Sequence, residues 1–293
     1  MYTIFVDSDC DMTPELCSKY GFKLISMPYS IDGKEVFPYV DFKEFDYKKF
    51  YNQLRAGVLP TTSALSPEQY KEYFEPEFEK GNDILYIHFS AAMSGTFNAL
   101  HLALEELKEK YPDRKFERID TKGITLGSYN ICCTIGDLLQ SGKTVEEVLA
   151  MKDDIVDHTA FYFYADDLKF FGKSGRVSGF AAFFGNIIGI KPILISDAHG
   201  HNIALKKVRG RQAALQEIAD SVIRTAIDPE HNYLAITHAD CPEDAQKIAD
   251  MIAEKIHFKE VFISHLGPIL GASCGPETVM AMHYGEEVTV VGE

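Results

Sequence analysis

Three aspartates stand on alternate positions behind an apolar run, in Tyr2-Thr-Ile-Phe-Val-Asp7-Ser-Asp9-Cys-Asp11-Met-Thr13. An aspartyl phosphatase uses such an arrangement: the first carboxylate attacks phosphorus and the second handles protons. That chemistry needs the nucleophile to end the strand and Thr or Val to stand fifth. Counted from Asp7, the fifth place is Asp11; counted from Asp9, Asp7 and Ser8 already occupy the strand end. Thr13-Pro14-Glu15 has a simpler reading as a helix start, with threonine as N-cap and proline at the first helical position. A phosphatase built on Asp7 and Asp9 is thus the weaker alternative.

Gly271-Ala-Ser273-Cys-Gly275 is a literal G-x-S-x-G, in which Ser273 would be an esterase nucleophile with an acid and a histidine later in the chain. Only 18 residues follow Gly275, and they offer Glu277, His283, Glu286 and Glu287. That is too little chain to build the strands that carry a triad's later members. Gly142-Lys-Thr144 and Gly172-Lys-Ser174 have Asp137 and Asp167 where a phosphate loop needs glycine. The first triplet reads instead as a helix end at Gly142 and a restart capped by Thr144 with Glu147. His199 and His201 flank a turn glycine, and no His-Glu-x-x-His is present, so no metal is expected.

Hydroxyls cluster more convincingly. Leu59-Pro-Thr61-Thr62-Ser63-Ala-Leu-Ser66-Pro-Glu-Gln69 uses Ser66 and Gln69 as a capping box, which leaves Thr61, Thr62 and Ser63 without a structural role. Ser90-Ala-Ala-Met-Ser94-Gly95-Thr96-Phe97 follows the strand ILYIHFS and opens a long helix, where backbone N–H groups and the helix dipole favour an anion. With the Gly-rich stretch at 271–276, these loops describe a site for a small anionic head group held by neutral donors.

The elements that must position these residues alternate strand and helix through the first half: TIFV, PELCSKYG, ILYIHFS, TFNALHLALEELKEKY, FERID, SYNICCTIGDLLQ. That order predicts an α/β lobe over 1–157 with a mainly parallel sheet. Within it, about residues 22–42, FKLISMPYSI and EVFPYV flank Asp32-Gly33 and predict a small antiparallel hairpin insertion. From 158 to 293, TAFYFYAD, KPILISD and HNIALKKV succeed one another around a turn at His199-Gly200 and predict a second, α+β lobe. A ligand is expected in the crevice between the lobes, beyond strand C-termini.

Apolar residues make up 46% of the 293, enough for a sizeable core. Twenty-nine Lys and Arg against 44 Asp and Glu leave a formal charge of −15, which disfavours nucleic acid and anionic membranes as partners. No stretch is apolar enough for membrane insertion, the N-terminus lacks a signal pattern, and the six cysteines form no CxxC, so a cytoplasmic location is expected. Between Asp166 and Arg211 lies a basic island that includes Lys191, Lys206, Lys207, Arg209 and Arg211.

The ordered set Val6-Asp-Ser-Asp-Cys-Asp11, Thr62-Ser63, Ser94-Gly95-Thr96, Asp120-Thr121, Gly175-Arg176-Val-Ser178, Gly189-Ile-Lys-Pro192, Arg209-Gly-Arg211 and Gly275-Pro276 resembles the DegV family of bacterial fatty-acid-binding proteins. The resemblance spans nearly the whole chain. It implies a two-domain, non-catalytic carrier that encloses one long-chain fatty acid, such as palmitate, stearate or oleate, and needs no cofactor. It also implies a separate fatty-acid kinase that makes an acyl phosphate from the bound acid. By position, Thr62 and Ser94 become the carboxylate ligands, with Ser63, Gly95 and Ser273 in support. Arg209 and Arg211 become the kinase-docking pair. Phe161, Phe163, Phe170, Phe171, Phe180, Phe183, Phe184, Ile187, Ile188 and Ile190 become tunnel-wall candidates. Ser273 stands where many members have histidine, Glu277 where glycine usually follows Gly-Pro, and Ala64-Leu65 where Gln-Pro is usual. Asp7 then becomes support for the hydroxyl loops.

Overall fold

The computed structural model describes residues 1–177 and 189–291. The chain forms two compact units, Met1–Glu44 with Thr62–Ile155, and Phe45–Thr61 with Val156–Glu293.

The first unit is built on four parallel strands, β1 (Tyr2–Asp7), β2 (Lys23–Ile25), β6 (Asp83–His88) and β7 (Phe116–Asp120), in the order β2-β1-β6-β7. Apolar side chains at Phe5, Val6, Ile84, Leu85 and Ile87 are buried, as a sheet covered on both faces requires. Its helices are α1 (Pro14–Tyr20), α3 (Pro67–Glu79), α4 (Thr96–Lys110), α5 (Leu126–Gln140) and most of α6 (Val145–Asp157). Several start where side-chain chemistry dictates. Thr13 Oγ1 caps α1 from Pro14 onward, Ser66 and Gln69 form a reciprocal capping box on α3, and Thr144 and Glu147 do the same at α6. Gly142, at φ +97°, makes the break before α6 that its sequence predicts.

The Asp32-Gly33 turn, with φ of +52° and +73°, joins β3 (Tyr29–Ile31) to β4 (Lys34–Val36), and β5 (Thr61–Thr62) completes that small sheet in the order β4-β3-β5. Both positive φ values suit a primed hairpin turn. The insertion is shorter than the expected 22–42: Lys23–Ile25 pairs in parallel with Phe5–Asp7 and belongs to the main sheet. Burial of Phe22 and Ile25 decides this, because the main sheet's covering layers offer more apolar contact than a two-stranded ribbon.

The second unit carries a six-stranded mixed sheet of β8 (Thr159–Tyr164), β9 (Ile190–Ser196), β10 (Asn202–Arg209), β11 (Tyr233–His238), β12 (Glu260–His265) and β13 (Val279–Tyr284). Its order is β10-β9-β8-β13-β11-β12, with only β11 and β12 parallel among the described ladders. Two amphipathic helices, α8 (Arg211–Thr225) and α9 (Pro242–Ala253), bury Leu215, Ile218, Val222, Ile248 and Ile252 in one core with Tyr164, Ile193, Ile236 and Val279. Two short helices, α7 (Leu168–Ser174) and α10 (Pro268–Cys274), belong to the same unit.

The division differs from the expected 157/158 boundary in one large respect. Residues 45–61, with α2 (Tyr47–Arg55), join the second unit. Tyr51 donates to Leu266 O at 2.8 Å, Arg55 pairs with Asp240 and Glu277, and Lys173 reaches the carbonyls of Leu59 and Pro60. These ties are distant in sequence, so no local pattern could announce them.

Candidate functional site

At the C-terminal edge of the parallel sheet, β1 ends on Asp7, β6 runs into Phe89-Ser90, and β7 ends on Asp120. Asp7 is fully buried. One of its oxygens accepts the backbone N–H groups of Asp9 (3.0 Å) and Cys10 (3.1 Å), and the other accepts the Tyr86 hydroxyl (2.9 Å) and Phe89 N–H (3.2 Å). Burial pushes its carboxyl up to about 6, against the pull of these four donors. A carboxylate so occupied cannot swing out to attack phosphorus, which disfavours the phosphatase reading.

Beside Asp7's partner Tyr86, a second buried tyrosine serves the hydroxyl loops. Tyr70 Oη lies 3.0 Å from Thr96 Oγ1, and Thr96 Oγ1 accepts Leu65 N–H at 3.1 Å. Thr96 N–H in turn donates to Ser94 Oγ at 3.2 Å. Thr96 therefore ties the loop carrying Thr62 and Ser63 to the loop carrying Ser94 and Gly95. Thr96 belongs to the Ser94-Gly95-Thr96 motif picked out by sequence, whereas Tyr70 and Tyr86 are absent from it. Their only local signal is polar atoms on otherwise apolar faces, Tyr70 in α3 and Tyr86 in β6.

Thr62, Ser63 and Ser94 are half-buried and Gly95 is exposed. The Ser63 amide donates to Pro28 O at 3.1 Å, which fixes the loop against the stretch leading into β3. Gly95 occupies the N-cap position of the fifteen-residue α4 and supplies no side-chain cap, so Ser94 Oγ, on the Thr96 N–H, is the side-chain oxygen at the helix's positive end. A hydroxyl that accepts one bond, as Ser94 does, still has a proton to donate. The arrangement can hold an anionic oxygen with neutral donors.

Behind it, Ser90 N–H donates to Gly123 O at 2.7 Å, Asp120 accepts Ala91 N–H, and Thr121 bonds both His88 O and Ser128. The His88 ring lies against Tyr86 and Phe97 with Nδ1 on Phe89 O, and burial lowers its affinity for a proton. It is a neutral wall. Asp11, held at φ +52°, has an Oδ2 sealed without a hydrogen-bond partner, and burial pushes its carboxyl up to about 8.

In the second unit, Ser273 is half-buried inside α10, its Oγ turned back to Ile269 O at 3.4 Å. Gly271 sits where a Cβ would come within 2.7 Å of Tyr51 Oη, and Gly275, at φ +79°, where it would meet Phe170. The G-x-S-x-G spacing is thus a packing device that admits three aromatic side chains, Phe50, Tyr51 and Phe170. His283, the candidate triad histidine, bonds Thr225 through Nε2 at 2.9 Å. These positions disfavour the esterase reading.

Arg209 is exposed at the end of β10, whereas Arg211 bonds Glu277 at 2.7 Å and pairs with Asp244. Glu277 also bonds Arg55 at 2.6 Å, so Arg211 is committed to an internal ion-pair network rather than left open as a bidentate donor. Phe161, Phe163, Phe170 and Phe171 are buried and Ile190 is half-buried. The other tunnel-wall candidates, Phe180, Phe183, Phe184, Ile187 and Ile188, lie outside the described residues. Among the described residues, Asp228, Glu230 and His231 form the one group close enough to hold a metal; all three are exposed and belong to the other unit from the hydroxyl loops.

A family model described as an uncharacterised protein of the DegV family matches residues 1–285. The chain belongs to the DegV family. A DegV domain-containing protein of Clostridium perfringens is 32% identical over 287 residues, covering 97% of this chain and 98% of its own. Solved DegV structures share the fold. The fatty acid binding DegV family protein of Streptococcus agalactiae matches with a TM-score of 0.85 at 21% identity, covering 98% of this chain and 99% of the other. The stearic acid-binding protein of Eubacterium ventriosum matches at 0.84 and 19%, over 97% and 98%. A fatty-acid-binding DegV family protein of Thermus thermophilus matches at 0.83 and 24%, over 97% and 99%. Among the described residues of this DegV chain, no helix is long and apolar enough to cross a membrane.

Proposed function

We propose that this protein binds one long-chain fatty acid without catalysing a reaction on it. The hydroxyls of Thr62 and Ser94 hold the carboxylate, and the Ser63 hydroxyl and the Gly95 backbone support it. The observation that carries the reading is the bond from Leu65 to Thr96, which draws two hydroxyl loops together at the N-terminal end of α4. The fatty acids bound by DegV proteins of the same fold supply the ligand class.

Neutral donors suffice because the tail supplies most of the affinity. About sixteen carbons at about 0.8 kcal/mol per methylene give on the order of 10 kcal/mol before ordering costs. The head-group contacts then fix orientation. Replacing both Thr62→Ala and Ser94→Ala is expected to weaken fatty-acid binding by at least about 100-fold, as loss of two hydrogen bonds to a charged group, at about 1.5 kcal/mol or more each, would. Displacement of a fluorescent fatty acid measures this; affinity unchanged in the double variant counts against the assigned head-group site.

The same reading has the carrier present its acid to a separate fatty-acid kinase for acyl-phosphate formation. Arg209, exposed where Arg211 is engaged, is the residue of the pair free to meet a negatively charged partner surface. Arg209→Glu is expected to lower the rate of acyl-phosphate formation with a fatty-acid kinase, and to leave acid binding alone. A kinase rate equal to that of the unaltered protein removes Arg209 from the docking surface.

A further inference from the structure

The two edges of the six-stranded sheet are built differently. The β10 edge is defended: it carries exposed Lys206, Lys207 and Arg209, and its register slips between Ala204 and Lys206. Lysines and bulges are the means by which natural sheets block strand addition. The β12 edge has neither. Between Glu260 and His265 there is no lysine, arginine or proline, and no register shift marks its pairing with β11. Val261, Phe262 and Ile263 are 43%, 38% and 38% exposed.

Successive strand residues point to opposite faces. The exposure of all three therefore means that the layers on both sides of the sheet cover β12 only in part, although Phe262 still packs on Tyr233. Among the described residues no strand lies beyond β12, and an apolar edge strand partly exposed on both faces is open to another strand.

We propose that β12 pairs antiparallel with β12 of a second copy of this chain, joining two six-stranded sheets across a two-fold axis. The sequence of the strand selects this occupant. Closely and widely spaced hydrogen-bonded pairs alternate along an antiparallel ladder, so a two-fold axis through it must place one residue opposite itself. Centred on Phe262, the axis sets Phe262 against Phe262 and Val261 against Ile263 of the second copy, in both directions. All three central pairs are then β-branched or aromatic, the combinations that stabilise cross-strand neighbours. The same register puts Glu260 opposite Ser264, so no acidic side chain faces another. A six-residue ladder with few side chains is smaller than a standard interface, and the association is accordingly concentration-dependent.

Sedimentation velocity of the full chain over a wide concentration range tests the proposal, read together with cysteine cross-linking. The expected mass rises toward twice 32.9 kDa with concentration. Ile263→Lys holds it at the monomer, and because the side chain is already 38% exposed the variant still melts cooperatively as a folded protein. Opposed residues lie about 4.5–5.5 Å apart at Cα, within disulfide reach, so Phe262→Cys cross-links to itself under mild oxidation. Ser264→Cys does not, since its counterpart is displaced by four residues, about 14 Å along the ladder. A protein monomeric at every concentration, a dimer indifferent to Ile263→Lys, or Ser264→Cys cross-linking as fast as Phe262→Cys overturns the proposal. So does a different protein held on this edge and released by Ile263→Lys.

Discussion

Asp7 accepts two backbone N–H groups on one oxygen, and a third with the Tyr86 hydroxyl on the other. The aspartates of the opening segment are therefore structural acids in a dry setting, and their cost is electrostatic. Asp7 is raised to about 6 and Asp11 to about 8, both from an ordinary value of 3.8 and both chiefly by burial. A carboxyl whose folded value is raised contributes stability that is fully present below its unfolded value and is lost as pH rises through the folded one. The protein is thus expected to lose stability from these groups between about pH 4 and about pH 8. Asp11→Asn removes the upper part of that loss. Its melting temperature relative to the unaltered protein is expected to climb from pH 5 to pH 9. The gain at the alkaline end is about 2 kcal/mol after discounting for Asp11's partial exposure. A pH-independent difference between the two contradicts the assignment.

At the scale of elements, α10 shows how packing can imitate a catalytic motif. Its two glycines are needed where Tyr51, Phe50 and Phe170 press against the backbone, and Gly275 also adopts a positive φ. Gly275→Ala is expected to cost about 2–3 kcal/mol, visible as a lowered melting temperature, whereas Ser273→Ala leaves stability nearly unchanged. If Gly275→Ala melts with the unaltered protein, the packing account of the motif fails.

Local chemistry was legible in the residues: the Ser66–Gln69 box, the Thr13-Pro14 start, the Asp32-Gly33 hairpin and the break at Gly142 each rest on contacts within a few positions. The two loops of the candidate site were legible as hydroxyl clusters at element ends. Their coupling through Thr96 and Tyr70 was not, because it joins residues brought together only by the fold. The same holds for Lys23–Ile25 entering the main sheet and for α2 joining the second unit, each decided by partners far along the chain. Glu277 reads in sequence as an odd residue beside Gly275-Pro276; in space it is the carboxylate that binds Arg55 and Arg211.

For the whole molecule, a formal charge of −15 repels anions, so the proposed ligand, itself anionic, draws its affinity mainly from its apolar tail. Such a ligand should survive purification, since its release returns a long hydrocarbon chain to water. Native mass spectrometry of the protein as purified from a bacterial host, followed by denaturation and identification of the released lipid, tests this most directly. The account predicts one long-chain fatty acid per chain, seen as a mass increment that disappears on denaturation. A protein that carries no fatty acid, takes none up when it is offered, and instead hydrolyses phosphate or ester substrates would contradict it.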